Sequence, residues 1–140
     1  MRMRRKKNLE ERLNSFDNII LIPRVTDDHR NIVASKEYID FQSLFGNSNP
    51  VHMEIGCGKG QFIFELAART PDINYIAVEV NESVISDACK KADEAGIKNV
   101  IFIKCGAEIL TKYIKPETIG RLYLNFSCPL PKKANENRRL

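Results

Sequence analysis

A glycine-rich stretch near the middle of the chain, VHMEIGCGKGQF at residues 51–62, restricts the possible folds more than any other feature. An apolar run leads there into three alternate glycines, Gly56, Gly58 and Gly60, and a helical pattern follows directly. A strand that turns through glycines into a helix is typical of α/β proteins whose backbone comes close to a ligand. The stretch therefore predicts a ligand-binding loop at the end of a buried strand.

The elements after Pro50 alternate between strands and helices. Strands are predicted at 51–55, 73–80, 99–105 and 120–126, and helices at 60–70, 81–95 and 107–114. Continuous apolar strands separated by helices favour parallel βαβ units covered on both faces, with ligands at the carboxyl ends of the strands. We therefore predict an α/β fold with an open, mostly parallel sheet.

The remaining composition limits compartment and chemistry. No run of about 18 apolar residues exists that could span a bilayer, and no signal-peptide segment follows the basic start. We therefore expect a cytoplasmic protein without a membrane partner. Four cysteines without a C-x-x-C pair, and two histidines without zinc spacing, favour reduced thiols and no metal.

Charge is distributed unevenly along the chain. The net charge is +4, but residues 1–7 hold five basic residues and residues 131–140 hold four with one acid, so the body between them is acidic. Basic ends around an acidic body fit a protein that meets a polyanion at its edges and a small ligand at its centre. The alternative is that the tails only keep the chain soluble.

The glycine spacing excludes one phosphate-binding loop and weakens another. A P-loop, G-x-x-x-x-G-K-[ST], would need a glycine where Met53 stands and a hydroxyl where Gly60 stands. A dinucleotide fingerprint, G-x-G-x-x-G, would need a glycine in place of Gln61. The P-loop is therefore excluded, and a dinucleotide-binding oxidoreductase domain stays open as a distant alternative.

Two acidic residues frame the loop. Glu54 precedes Gly56 by two residues, where it would repel a pyrophosphate but favour S-adenosylmethionine (SAM), which carries a sulfonium and an ammonium. Glu79 ends the second predicted strand, where a carboxylate can accept hydrogen bonds from both ribose hydroxyls. Together they predict a SAM site that includes Gly56 and Gly58. The alternative is that both acids are solvated strand-end residues.

The segment after the fourth predicted strand, LYLNFSCPLPKKANENRRL at residues 122–140, resembles the signature of the bacterial tRNA (guanine-N(7)-)-methyltransferases. The similarity extends to MRMR at the start, to FGNSNP before the first strand, and to EIGCGKGQF and PDINYIAVE. It covers nearly the whole chain. The resemblance implies a Rossmann-like, SAM-dependent methyltransferase that modifies guanine nitrogen-7 in tRNA.

Taken position by position, the resemblance implies specific contacts. It makes Glu54 and Glu79 cofactor contacts, with Glu79 on the ribose, and it places Lys132 on the tRNA side of the site. Where the family has an aspartate after the third strand, this chain continues into Ala107 and Glu108. The resemblance implies that the Ala107 amide contacts adenine and that Glu108 partly replaces the missing acid.

The methyl-acceptor side departs from the family. Cys128 occupies the position of the catalytic-site aspartate and Leu130 that of a tryptophan, so no catalytic residue is assigned. The given chain ends with RRL itself, at Leu140, whereas family members continue with further strands. The resemblance thus implies truncation, with residues 1–50 as a basic lead-in and residues 51–140 as the N-terminal part of the SAM-binding domain. The alternatives are a non-catalytic SAM-binding remnant, or half of a split enzyme completed by a partner chain.

Overall fold

A parallel β-sheet forms the centre of the fold. The computed structural model describes residues 8–22 and 34–125. The strands in this part of the chain are β1 (Ile19–Leu21), β2 (Val51–Ile55), β3 (Asn74–Glu79), β4 (Val100–Lys104) and β5 (Ile119–Tyr123). They lie in the order β1-β4-β3-β2-β5, and every neighbouring pair is parallel. The predicted α/β class and open parallel sheet are confirmed.

Short helices connect the strands. They are α1 (Leu9–Asn14), α2 (Phe41–Phe45), α3 (Gln61–Arg69), α4 (Glu82–Glu94), a 3-10 turn (Ala107–Ile109) and α5 (Leu110–Tyr113). Helix α4 begins as the sequence predicted, because the Asn81 side chain accepts a hydrogen bond from the Val84 amide at 3.1 Å. It ends before Gly96, whose φ of +68° suits the left-handed turn that terminates helices.

Apolar side chains cover the sheet on both faces. Helices α1, α3 and α4 pack on one face, against a cluster that includes Leu13, Ile63, Tyr75, Ile85 and Phe102. Helix α2, the 3-10 turn and α5 pack on the other face, against a cluster that includes Phe41, Met53, Ile76, Ile103 and Leu110. Burial on two faces explains why β3 and β4 read as continuous apolar runs rather than as alternating ones.

An additional strand, β1, lies in the segment predicted as an irregular lead-in. Ile19 pairs with Phe102 of β4, and α1 packs against α4 on the same face of the sheet. The sequence predicted four strands because the short apolar run at residues 19–22, which Pro23 ends, does not form a recognisable period. The division of the chain into a lead-in at residues 1–50 and a domain at residues 51–140 remains a prediction. Within the lead-in, residues 19–21 form a strand of the sheet.

Strand β5 forms the opposite edge of the described sheet. It pairs with β2 through a register that shifts between Val51 and His52, and among the described residues it has no strand on its outer side. Leu122 and Leu124 are 51% and 44% exposed, so an apolar side of β5 faces outward. The described part of the sheet therefore ends at β5 in an unpaired edge with an exposed leucine.

Removal of a buried ring should destabilise the fold far more than removal of an exposed leucine. Phe102 is fully buried and its ring lies edge-on to Phe64, with ring centroids 6.1 Å apart. We expect Phe102→Ala to lower the free energy of unfolding by about 3–5 kcal/mol, because the cavity it leaves cannot close. Leu44, which is 52% exposed, is the control, and Leu44→Ala should change the free energy of unfolding by about 0.5 kcal/mol or less. Urea unfolding followed by circular dichroism measures both, and equal losses would contradict the assigned core.

Candidate cofactor-binding site

The carboxyl ends of β2, β3 and β4 meet at one edge of the sheet. Helices α3 and α4, which follow β2 and β3, pack on one face, whereas the connection from β4 to β5 packs on the other. The chain therefore reverses its direction of progress across the sheet between β2 and β5. Ligands of open α/β sheets bind at such a reversal, outside the carboxyl ends of the strands.

The glycine loop between β2 and α3 exposes its backbone at this edge. Gly56 and Gly58 have φ of +77° and +57°, which side chains disfavour, and a β-carbon at either would meet nothing within 4 Å. Gly60 differs, since a β-carbon there would lie 2.5 Å from the Phe64 ring. The first two glycines thus leave open space beside the loop, while the third leaves room for the Phe64 ring of α3.

The Glu54 side chain is buried beneath this loop and has no hydrogen-bond partner among the described residues. It is 0% exposed, and neither carboxylate oxygen has a hydrogen-bond partner among residues 8–22 and 34–125. Burial, and secondly the charge of Glu79, raise the pKa of Glu54 to about 7. An unpaired acid in this position favours any cation that reaches it, and the alternative of a solvated strand-end acid is wrong for Glu54.

Glu79 lies at the end of β3 and holds the loop in place. Its Oε2 accepts a hydrogen bond from the Gly58 amide at 3.0 Å, and its Oε1 accepts from the amides of Val80 and Asn81, both at 3.1 Å. The sequence predicted its position at the same edge as Glu54 but missed the bond to Gly58, because spacing gives no information about backbone partners. About one acceptor position of this carboxylate remains, on Oε2.

Ala107 and Glu108 lie where β4 ends, beside β3. Ala107 begins the 3-10 turn, and the exposed Glu108 carboxylate folds back over Gly106, where it would contact any β-carbon. Glu108 also contributes, after burial, to a raised pKa of about 12 for Cys105. The structure therefore brings both predicted residues to the edge that holds Glu54 and Glu79. Their roles towards adenine remain predictions.

The thiol of Cys57 reports the electrostatic character of the loop. Cys57 is buried, and burial, then the charges of Glu79 and Glu54, raise its pKa far above the ordinary value. The same two carboxylates that oppose a thiolate also oppose a phosphate and attract a cation. Cys57 is thus an inert neutral thiol in a negatively polarised site.

Two aromatic rings close the side of the site next to β5. Tyr123 lies opposite Glu54 in the register of β5 with β2, and its ring meets that of Phe62 with centroids 5.2 Å apart and planes at 61°. No motif in the sequence predicted this pair. The alternation within GRLYLNF places Tyr123 on one face, but only the observed register shows which residue lies opposite.

Several predicted residues lie outside the described ranges. These are Cys128, Leu130 and Lys132, on the predicted methyl-acceptor side. In residues 8–22 and 34–125, no three His, Cys, Asp or Glu side chains come together as a metal site. No helix in that part of the chain has the length and apolarity needed to cross a membrane.

Comparison with known proteins identifies relatives along the whole chain. A family model described as "Putative methyltransferase" matches residues 48–140. A tRNA (guanine-N(7)-)-methyltransferase of Streptococcus pneumoniae (strain CGSP14) is 40% identical over 140 residues, which are 100% of this chain and 62% of that protein. The protein of the same name from Streptococcus suis (strain 05ZYH33) is 47% identical over 97 residues, 69% of this chain and 46% of the relative.

A solved structure supports the fold independently. The 16S rRNA methyltransferase KamB superimposes with a TM-score of 0.52 at 22% identity, over 64% of this chain and 43% of that chain. The chain spans about 62% of the length of the curated Streptococcus pneumoniae relatives it matches. The resemblance to tRNA (guanine-N(7)-)-methyltransferases is thereby confirmed, and the chain belongs to the methyltransferase family that the matching model describes.

Proposed function

We propose that this chain provides the SAM-binding part of an enzyme that methylates guanine nitrogen-7 in tRNA. The observation that carries the proposal is the pair Glu54 and Glu79 around an open glycine loop, in a chain whose relatives are named tRNA (guanine-N(7)-)-methyltransferases. Because the carboxylates of Glu54 and Glu79 lie beside the loop, where they would repel a pyrophosphate, the dinucleotide-binding alternative loses support.

The residues at the site fit SAM. Glu54 offers two buried oxygens without partners to a cationic group, and the open space beside Gly56 and Gly58 admits a ligand against the backbone. Glu79 offers the free acceptor position of Oε2 to a ribose hydroxyl. We assign the adenine end to Ala107 and Glu108. SAM supplies an activated methyl group on its sulfonium.

The proposed reaction requires alignment more than proton transfer. Guanine nitrogen-7 has a lone pair in the ring plane and needs no deprotonation before it attacks a methyl group. Catalysis therefore rests on holding nucleophile, methyl group and leaving sulfur in line. A thiol at Cys128 is neutral at pH 7 and contributes less to positioning and electrostatics than a carboxylate would. Because a cysteine stands at position 128, a non-catalytic SAM-binding remnant is the second candidate function.

The basic ends of the chain are the proposed tRNA contacts. Lys132 and its neighbours at residues 131–140, together with the basic residues at 1–7, would attract phosphates, while the acidic site between them holds the cofactor. A tRNA substrate also assigns the protein to the cytoplasm.

The outer edge of β5 is the proposed attachment point for a partner strand. Its backbone has no strand partner beyond β2 among the described residues, and Leu122 is half exposed. A partner chain that completes the sheet would pair with these backbone groups and cover the leucine.

SAM binding should depend on the two carboxylates. We expect SAM to raise the melting temperature of the chain while NAD leaves it unchanged. Glu79→Gln should weaken SAM binding about 10- to 100-fold in calorimetry, because hydrogen bonds to a charged acceptor are lost. The exposed Glu65 of α3 is the matched control, and Glu65→Gln should bind like the unmodified chain. Protection by NAD, or equal affinity in all three proteins, would contradict the assigned site.

Binding of tRNA should weaken steeply with salt. Each phosphate contact contributes a slope of roughly 0.7–0.9 in log affinity against log salt concentration, so the double variant Lys132→Ala/Lys133→Ala should lower the slope by about 1–2. Lys98→Ala, which changes an exposed residue just before β4, is the control and should leave the slope unchanged. Filter binding of unmodified tRNA at several salt concentrations measures the slope. An affinity independent of salt would rule out phosphate contacts.

Methyl transfer should respond to the residue at position 128. If the chain is catalytic, Cys128→Asp should raise label transfer from radiolabelled SAM to tRNA guanine at least about tenfold, because it restores the carboxylate that the family resemblance implies at this position. Cys128→Ser, of similar size and uncharged, is the control and should not. Absence of transfer in all three proteins, with SAM binding intact, would support the remnant.

A further inference from the structure

We propose that binding of the cationic cofactor expels a proton from Glu54 to solvent, so that the site binds SAM more tightly as pH rises through neutrality. The inference rests on the proposed function, since it requires SAM to occupy this edge of the sheet. It adds a property of the site that the match to methyltransferases does not contain: the acid below the glycine loop exchanges its proton near neutral pH in the free chain and is a carboxylate throughout in the complex.

In the free chain, the surroundings of Glu54 disfavour its ionised form. The side chain is fully buried, and both oxygens lack hydrogen-bond partners in the part of the chain that the structure describes. The groups that face it are the carboxylate of Glu79 from β3, the neutral thiol of Cys57 from the loop, and Tyr123 from β5. None of them supplies a positive charge. An isolated buried carboxylate is costly, so the group holds its proton.

The basic side chains of the glycine loop and of β5 do not change the preference of Glu54 for its protonated form. Lys59, in the loop, is exposed to solvent, and Arg121 of β5 is exposed with its guanidinium 3.5 Å from the Tyr123 hydroxyl. Neither bonds to Glu54, whose oxygens are unpartnered. Burial and the charge of Glu79 together raise the pKa of Glu54 to about 7, which agrees with this geometry.

A cation bound beside Glu54 makes the ionised form of this acid the favoured one. SAM carries a sulfonium and an ammonium, and either one beside Glu54 gives the carboxylate the partner that the protein does not provide. The O–H bond of Glu54 then breaks, the proton passes to buffer, and the electron pair remains on the carboxylate. No other group is oxidised, reduced or transferred.

The linkage has a defined size. With a free-chain pKa of about 7 for Glu54, the fraction of chains that must lose a proton is about one half at pH 7 and about nine tenths at pH 6. The apparent affinity for SAM should therefore fall about tenfold between pH 8 and pH 6. A site that bound SAM through an acid with an ordinary pKa would show almost no change over this range.

Calorimetry with SAM in two buffers of different ionisation enthalpy, such as phosphate and Tris, tests the inference. The number of protons released is the slope of the observed enthalpy against the buffer enthalpy. We expect the unmodified chain to release about 0.5 proton more than Glu54→Gln at pH 7, and we expect affinity in that variant to vary less than about twofold from pH 6 to pH 8. Glu54→Gln also corrects for protons that come from SAM itself. Glu65→Gln should behave like the unmodified chain.

The demethylated product, which keeps the ammonium but lacks the sulfonium, identifies the cation. Proton release with both ligands assigns Glu54 to the ammonium, and release with SAM alone assigns it to the sulfonium. Binding of SAM with equal proton release in the unmodified chain and Glu54→Gln would overturn the inference but leave the proposed function standing. If the unmodified chain did not bind SAM at any pH, both the inference and the proposed function would be overturned.

Unfolding of the free chain provides a test that needs no cofactor. Because the folded state holds a proton that the unfolded state has lost, the urea midpoint should fall as pH rises from about 5 to 8. Glu54→Gln has no proton to lose there, so its midpoint should fall less across the same range. Parallel pH profiles in the two proteins would show that Glu54 is ionised in the free chain and would overturn the inference.

Discussion

The parallel pairing of β2 with β3 is the constraint on which the candidate site depends. It sets Glu54 opposite Ala77, and beyond the strand the Val78 carbonyl accepts hydrogen bonds from the first two amides of the glycine loop. Glu79, the next residue of β3, then reaches the Gly58 amide. A shift of one residue in this register would turn one carboxylate to the opposite face of the sheet and dissolve the site.

A buried acid without partners is a local conflict between folding and binding. Apolar burial around Glu54 stabilises the chain only while the acid is neutral, and the neighbouring Glu79 increases the cost of ionisation. Proteins keep such conflicts mainly where a ligand resolves them. The glycine loop belongs to the same arrangement, since its left-handed residues disfavour side chains but leave the backbone open.

Local patterns in the sequence predicted the elements of the fold and half of the site. Strand β2 and helix α4 were placed correctly because apolar periodicity and the Asn81 cap act within a few residues. The shared edge of Glu54 and Glu79 followed from the rule that parallel strands end on the same side. These predictions needed no knowledge of which strands are neighbours.

Contacts between distant segments were not predictable in the same way. Strand β1 exists only because β4 offers it a partner, and three apolar residues carry no period of their own. The contact of Phe62 with Tyr123 depends on β5 crossing to the far side of β2, a choice that propensities do not encode. The bond from Gly58 to Glu79 depends on a backbone turn whose direction glycine leaves free.

The two edges of the sheet are unequal, and this has a consequence for how the architecture can grow. At one edge of the described sheet, β1 contributes only three residues, which offer few backbone hydrogen-bonding groups to an additional strand. At the other edge β5 contributes five and ends beside the reversal point where the site lies. A strand added at β5 would therefore extend the wall of the crevice next to the cofactor loop, whereas a strand added at β1 would leave that crevice unchanged.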